Sequence, residues 1–511
     1  MTKRPDAREI VRNNEKAMPR SDSREIVQNN EKAMPQSNSR EIVQNNEKAM
    51  PQSDSREIVQ NNEKAMPQSN SREIVLKMLL EVLEEGKYSH TVLNHTLKKH
   101  QHLEKQERAF IARIFQGTVK HYLTLDYIIN LHASLPVARM KPLIRNLLRL
   151  SAYQLIYMEA VPVPAVCNEA VNLAKKRSFT KLSGFVNAVL RNIARNKENI
   201  NFPDPVRSPV SYLEIVYSTP AWLVEELLEQ YPFQMVEAML IASLKEKETT
   251  VRCNLAKLSP AELKAMLEQE GVTVEDSEYL EYAFTIRDYD YLEGLKSFRS
   301  GCFAVQDVSS MLVGEVSGIK AEDYVVDVCS APGGKALHAA QMADRVSARD
   351  LTEYKVNLIR ENLGRLGVTN VETKVWDATV LDTELLAQAD LVIADLPCSG
   401  LGVLGKKSDI KYKLTQNQHK ELVELQRIIL DKVQQYVKKG GCLIFSTCTV
   451  NKEENLENRE WFLQNYEFEA VGFNELLPAL LQCETAKEGY LQMIQGIHNT
   501  DGFFISKFRK K

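Results

Sequence analysis

Short segments in the second half of this 511-residue chain carry side chains suited to covalent chemistry beside a bound nucleoside. Cys329-Ser330-Ala331-Pro332-Gly333-Gly334-Lys335 follows Val325–Val328, which reads as a buried strand. Gly333 and Gly334 let backbone approach a ligand closely, and the N-terminus of a following helix attracts carboxylate. The spacing is not the GxxxxGK[ST] of a Walker phosphate loop, and two glycines there could equally tighten a turn. Asp350, Asp377 and Asp395 close the next three strand-like runs. One acid at a strand end is most often a cap, but three in succession suit ribose hydroxyls and an adenine amine. Asp395-Leu396-Pro397-Cys398-Ser399-Gly400 and Ser446-Thr447-Cys448-Thr449 then bring two cysteines and an aspartate to one sheet edge. A thiolate is a strong nucleophile, so Cys398 and Cys448 read as catalytic. Cys167, Cys253, Cys302, Cys442 and Cys483 read as packing residues.

These groups need a scaffold that holds loops at strand ends. From Gly301 to Lys511 strands alternate with helices: YVVDVC, VSARDL, VETKVWDA, ADLVIADLPCSG, GGCLIFSTCTV and GFFISKFRK. That order specifies a parallel α/β sheet whose ligands sit at the carboxyl ends of its strands. Residues 201–300 mix helical PAWLVEELLEQY and SPAELKAMLEQEG with strand-like TTVRCNL and AFTIRDY, a small α+β, RRM-like linker module. Residues 72–200 show apolar residues at spacings of three and four, broken at Gly86, Leu135-Pro136 and Val161–Pro164. This predicts an all-α bundle of five or more helices. Residues 1–71 hold near-copies of REIVRNNEKAMPRSDS starting at Arg8, Arg24, Arg40 and Arg56, a period of 16. Four copies make a 64-residue insertion into a 447-residue protein, because removing Arg8–Ser71 joins Ala7 to Arg72 as a continuous amphipathic helix start. Each copy has too few apolar residues to offset its ordering entropy and reads as disordered. Deleting Arg8–Ser71 is therefore expected to leave turnover unchanged, which a rate comparison of the two chains checks.

The formal net charge of -3 argues against a nucleic-acid partner, yet it averages unlike parts. Residues 72–200 carry +10, residues 1–71 carry +1 and residues 201–511 carry -14. The bundle's Lys175-Lys176-Arg177 and Lys181 make an electrostatic footprint for phosphate, although a solvated basic face would look the same. His90, His95, His100 and His102 show no ligand spacing with cysteine, so no metal site is expected. Length and 44% hydrophobic content exclude a peptide hormone or disulfide miniprotein. No run of about 18 apolar residues is present, so no membrane span is expected. Eight cysteines without a CxxC pair fit a reduced, cytoplasmic protein.

SAPGGK, DLPCSG and STCTV, in that order, with GCFAVQDVSS at Gly301–Ser310 and a terminal DGFFISKFRK, resemble the RNA 5-methylcytosine methyltransferases of the Nop/Sun family. AFIARIFQGTVKHY and SGFVNAVLRNIAR resemble the NusB-like RNA-binding domain. The pairing covers Arg72–Lys511 and points to the family's bacterial 16S rRNA branch. It implies a Rossmann-like class I methyltransferase domain with S-adenosylmethionine held by Cys329–Lys335, Asp350, Asp377 and Asp395. It implies Cys448 as the nucleophile that adds to cytosine carbon 6, Cys398 as the residue that assists product release, and Asp395 as the group that activates the base. Lys335 would orient Asp395 or the cofactor. The partner implied is 16S rRNA, free or in an early small-subunit particle, with no DNA and no membrane. Lys406-Lys407-Ser408-Asp409-Ile410 departs from the family's arginine, histidine and proline before the aspartate but keeps the positive charge; Thr449 stands where serine is frequent. Three alternatives stay open: exchanged roles for the two cysteines, a tRNA or other rRNA site, and an inactive NusB-type assembly factor.

Overall fold

The computed structural model describes residues 71–511. The repeats and the expectation that they are disordered lie outside the described residues. Seven helices form the bundle: α1 (Ser71–Leu83), α2 (Ser89–Lys99), α3 (Lys105–Lys120), α4 (Tyr122–His132), α5 (Pro142–Tyr157), α6 (Val163–Lys176) and α7 (Ser183–Asn196). Their apolar spacing is what buries them: Ile111, Ile114, Phe115 and Val119 of α3 all lie in one core with Leu147, Leu148 and Leu190. Pro142 and Pro164 sit in the first turns of α5 and α6, where a missing N–H costs nothing. Lys175, Lys176, Arg177 and Lys181 are exposed, but Glu73 pairs with Lys176 at 2.6 Å and Arg177 at 3.0 Å and so cancels part of that patch.

Three further helices, α8 (Pro209–Val216), α9 (Ala221–Gln230) and α10 (Phe233–Leu244), lead into a four-stranded antiparallel sheet. Its strands β1 (Thr249–Cys253), β2 (Thr273–Asp276), β3 (Ala283–Arg287) and β4 (Phe303–Val305) run in the order β2-β3-β1-β4, with α11 (Pro260–Gln269) between β1 and β2. β4 pairs with β1, so this sheet takes in residues beyond 300.

The larger sheet holds β5 (Tyr324–Asp327), β6 (Arg345–Asp350), β7 (Val371–Val375), β8 (Ala389–Asp395), β9 (Val437–Thr447), β10 (Phe468–Ala470), β11 (Tyr490–Met493) and β12 (Phe503–Lys510). The order is β10-β12-β9-β8-β5-β6-β7, with β11 paired to β12. The strands from β5 to β9 are parallel to their neighbours and β12 is antiparallel to β9. Alternate residues face opposite sides: Val325, Ile393 and Ile444 pack toward α12 (Val308–Ser317), α13 (Gly334–Ala339) and α14 (Glu353–Leu366). Val326, Val392 and Phe445 pack toward α15 (Gln416–Val433) and Phe462 of α16 (Asn458–Asn465). Burial on both faces explains why these strands read as apolar runs. The chain moves from β5 toward β7 on one side and places β8 and β9 on the other. The crevice this creates lies at the carboxyl ends of β5 and β8, where Asp327 and Asp395 stand.

The bundle docks on the catalytic half through the segment after DLPCSG. Asp409, buried, accepts hydrogen bonds from the Ser89 N–H at 2.9 Å and hydroxyl at 2.5 Å, at the start of α2. The Tyr412 hydroxyl donates to Lys120 O at 3.1 Å, and Lys413 donates to Lys87 O at 2.7 Å. No helix among the described residues is long and apolar enough to cross a membrane. No group of three or more His, Cys, Asp or Glu side chains among them is arranged to hold a metal.

Candidate active site

The loop leaving β5 folds as a tight turn. Gly333 has φ +105°, a conformation that side chains disfavour, and a Cβ there would meet Leu337 Cδ1 at 2.9 Å. Its N–H donates to Ser330 O at 2.6 Å. Asp350 braces the same loop, accepting the Ala331 N–H at 2.9 Å while Lys355 Nζ lies 3.2 Å away. Cys329, Ser330, Ala331, Pro332, Gly334 and Lys335 line a cleft of about 160 Å³ together with Asp395 and Gln306. Gln306 is held from behind by Arg252, a buried guanidinium that donates to its Oε1 at 2.8 Å and so turns its amide nitrogen toward Ser310.

Asp327 also lines this cleft, and nothing in the sequence motifs singled it out. It is fully buried, and neither its carboxylate oxygens nor the Ser330 hydroxyl has a hydrogen-bond partner of good geometry. Burial outweighs the attraction of Lys335 and pushes its carboxyl up to about 7. An acid inside the apolar run VVDVC was the available signal.

Across the crevice, Lys335 donates to Asp395 Oδ2 at 2.7 Å and the Ser446 hydroxyl donates to Oδ1 at 2.7 Å, which fixes the carboxylate plane. Asp395 and Ser446 are register partners on β8 and β9. The loops beyond them set Cys398 and Cys448 face to face with the sulfurs 3.4 Å apart. The thiol–thiol hydrogen bond pulls Cys448 below the ordinary thiol range, against the effect of burial. The same bond, reinforced by burial, pushes Cys398 well above it. Lys407 and Lys335 add to the depression at Cys448 and Asp395 opposes it.

Both cysteine loops are tied to one buried acid. Glu454 accepts the Ser399 N–H at 2.9 Å, the Ser399 hydroxyl, and Gln426 Nε2 at 2.8 Å. The Ser399 and Thr449 hydroxyls are 2.7 Å apart, so the residues that follow Cys398 and Cys448 are themselves bonded. His419 completes the cluster, with Nε2 3.2 Å from Glu454 and Nδ1 3.1 Å from Glu226. Burial would lower His419, but the two carboxylates outweigh it and raise it to about 10. Behind this cluster, Tyr231 donates to Val450 O at 2.6 Å and Lys452 N–H donates to Gln230 at 2.8 Å, so the end of α9 buttresses the Cys448 loop. Gly402 lies backbone to backbone with Gly502, where a Cβ would fall 1.9 Å from the Gly502 carbonyl oxygen. That close approach lets the Gly402 N–H donate to Cys448 O at 3.0 Å.

The predicted residues thus form two groups, with Asp350, which braces the loop from behind, and Asp377 outside the cleft lining. Cys329–Lys335 with Asp395 shape the cleft, and Cys398 with Cys448 stand beside it. Asp377 is not among the cleft-lining residues: its carboxylate accepts the N–H of Thr379 at 2.9 Å and its hydroxyl at 2.6 Å. The cationic segment after Gly405 also divides. Lys406 binds Asp307 at 2.9 Å and Asp501 at 2.6 Å, Asp409 docks the bundle, and Lys407 stays exposed.

Comparison with known proteins covers every part of this arrangement. Residues 317–509 match the family model for 16S rRNA methyltransferase RsmB/F, 69–195 match the NusB family, and 219–289 match the ferredoxin-like domain of RsmF/B-like methyltransferases. The crystal structure of PH0851 superposes with TM-score 0.72 at 25% identity, covering 88% of this chain and 99% of that one. A methyltransferase homologue from Pyrococcus horikoshii superposes with TM-score 0.51 at 25% identity, covering 60% of this chain and all of that one. A probable ribosomal RNA small subunit methyltransferase B of Synechocystis is 30% identical, over 85% of this chain and 98% of its own length. The Bacillus subtilis protein of the same description is 35% identical over 442 residues, 85% of this chain and 98% of its own length, and on that extent of likeness this chain belongs to the ribosomal RNA small subunit methyltransferase B family.

Proposed function

We propose that the protein transfers a methyl group from S-adenosylmethionine to carbon 5 of a cytosine in 16S rRNA, through a covalent bond between Cys448 and carbon 6. The observation that carries this reading is the thiol pair at 3.4 Å beside the Lys335–Asp395 pair, at the switch point of the sheet.

The cleft fits the cofactor. Asp327, buried and without a hydrogen-bond partner, suits an ammonium group, and Gly334 leaves backbone open to a carboxylate. Asp350, which braces the loop, would meet the ribose, and Asp377, outside the cleft lining, would meet the adenine amine. Bound there, S-adenosylmethionine supplies an electrophilic methyl group. The chain's own residues do the rest. Carbon 5 of cytosine is a poor nucleophile until a thiolate adds to carbon 6 and makes it an enamine carbon. Cys448, whose thiol is depressed by the Cys398 hydrogen bond, is the better-ionised sulfur for that addition. Asp395, its plane set by Lys335 and Ser446, hydrogen-bonds the base at nitrogen 3. A base takes the carbon 5 proton, the bond between carbon 6 and the Cys448 sulfur breaks, and Cys398, held protonated, donates its proton to the departing sulfur. The target must leave its stack to reach this site, which favours a loop cytosine. The basic bundle of residues 72–200 grips the surrounding rRNA in the cytoplasm, free or in an early small-subunit particle.

Labelled S-adenosylmethionine tests the reading, with unmodified 16S rRNA, partial small-subunit particles and tRNA offered in parallel and the modified base mapped. Label at a 16S cytosine carbon 5 is expected; label only on tRNA, or none from folded protein, overturns it. A narrower result concerns Asp327. Asp327→Asn keeps size and loses charge, so cofactor affinity should fall roughly 10- to 100-fold, the worth of a hydrogen bond to a charged group. Because Asp327 titrates at about 7, wild-type affinity should weaken as pH falls below 7, and Asp327→Asn should lose that dependence. Calorimetric titration with S-adenosylhomocysteine across pH measures both.

A further inference from the structure

We infer that Cys398 and Cys448 are a reversible modification site, closing to a disulfide when the protein meets a hydroperoxide. The sulfurs lie 3.4 Å apart with a direct hydrogen bond between them. A disulfide bond is about 2.05 Å long, so rotation of two side chains has about 1.4 Å to close. The approach is built into the backbone. β8 and β9 are parallel neighbours with Asp395 opposite Ser446, and Cys398 and Cys448 follow in the loops directly beyond. The flanking hydroxyls of Ser399 and Thr449 are bonded at 2.7 Å, and Glu454 clamps Ser399 at 2.9 Å. Gly402 N–H holds Cys448 O at 3.0 Å. These contacts keep the thiols facing each other, so a partner is in place the moment one sulfur is oxidised. All eight cysteines are free thiols, and the sulfurs of Cys398 and Cys448 are hydrogen-bonded to each other.

The chemistry balances without another reactant. The Cys448 thiolate attacks one oxygen of the hydroperoxide and the O–O bond breaks. The leaving alkoxide, or hydroxide from hydrogen peroxide, takes a proton, and Cys448 becomes a sulfenic acid. The Cys398 sulfur then attacks that sulfur, and its proton leaves with the hydroxide as water. Two thiols and one hydroperoxide give a disulfide, one alcohol or water, and one further water. A dithiol reverses the process by exchange. The cross-link removes the thiol that the proposed reaction needs and shields Cys448 from irreversible oxidation to sulfinic acid. Loss of activity rests on the proposed role of Cys448, whereas formation of the cross-link does not.

The test treats the full-length chain with stoichiometric hydrogen peroxide and reads intact mass and peptide maps under non-reducing conditions, with methyl transfer in parallel. Expected are a mass loss of two hydrogens, a linked peptide pair containing Cys398 and Cys448, loss of methyl transfer in proportion, and recovery of both with dithiothreitol. Cys398→Ser should instead gain oxygen at Cys448, and dithiothreitol should not reverse it once sulfinic acid has formed. Oxygen added to the wild-type chain without cross-linking, a link to any other cysteine, or both thiols intact under excess peroxide overturns the inference. A reversible cross-link in a chain that never methylates RNA would uphold it while refuting the proposed reaction.

Discussion

Cys448→Ala should reduce methyl transfer by ~10⁴-fold or more, the scale of loss when a covalent nucleophile is removed. It should also abolish any enzyme–RNA adduct. Cys398→Ala should behave differently: the adduct should form and persist, visible as a band of reduced mobility that survives denaturation and disappears with nuclease. The asymmetry comes from one hydrogen bond. The sulfurs share it across 3.4 Å, and together with Lys407 and Lys335 it lowers Cys448, whereas together with burial and Glu454 it raises Cys398. The thiol that keeps its proton is suited to the release step, and the one that sheds it is suited to attack. If the roles are exchanged, Cys398→Ala will be the variant without adduct and Cys448→Ala the one that traps RNA. A denaturing gel with both proteins decides the matter in a single experiment.

The second large effect is expected away from the reacting atoms. Glu454→Leu leaves the Ser399 N–H and hydroxyl and Gln426 Nε2 without their acceptor and His419 with one carboxylate instead of two. Breaking a buried charged cluster costs about 3–5 kcal/mol, a large share of the 5–15 kcal/mol that stabilises a typical domain. The midpoint of thermal unfolding should fall accordingly. Because Ser399 and Thr449 flank the two cysteines, the surviving folded protein should also turn over more slowly at saturating substrate. Glu454→Gln, which keeps one acceptor, should recover part of both losses. The cluster also carries a pH signature. His419 is raised from its usual 6.5 to about 10 in the folded chain, so folding favours the protonated form. That stabilisation is fully present below about 6.5 and is lost as pH rises through about 10. Thermal unfolding from pH 6 to 10 should show a declining midpoint, and His419→Gln should flatten the decline.

Much of the scaffold was legible along the chain because burial imposes periodicity. Strands covered on both faces must be apolar throughout, as Val325-Val326 and Leu391–Ala394 are, and helices covered on one side must repeat at three and four, as Ile111, Ile114 and Phe115 do. The loops SAPGGK, DLPCSG and STCT were legible for a related reason: glycine, proline and reactive side chains directly past an apolar run sit where ligands bind. Asp327 was harder to see, since one acid within an apolar strand declares its burial only when the surrounding atoms are known. Lys406 read only as part of a cationic run, but it lies between Asp307 and Asp501, residues 99 and 95 positions distant.

The +10 of residues 72–200 was a property of the sequence alone, and so were the identities and order of Cys329–Lys335, Asp395, Cys398 and Cys448. Tertiary structure decided which of these meet. Strand order puts β8 between β5 and β9, which brings Asp327, Asp395 and Cys448 to one crevice and leaves Asp377, beyond the edge strand β7, to cap its own turn. It also draws Glu226, His419, Ser399 and Glu454 from four separate segments into one buried cluster. Periodicity is a local consequence of burying a face, so it can be read residue by residue. Convergence of loops depends on which strands pair across long stretches of chain, and that choice is made only when the whole core closes.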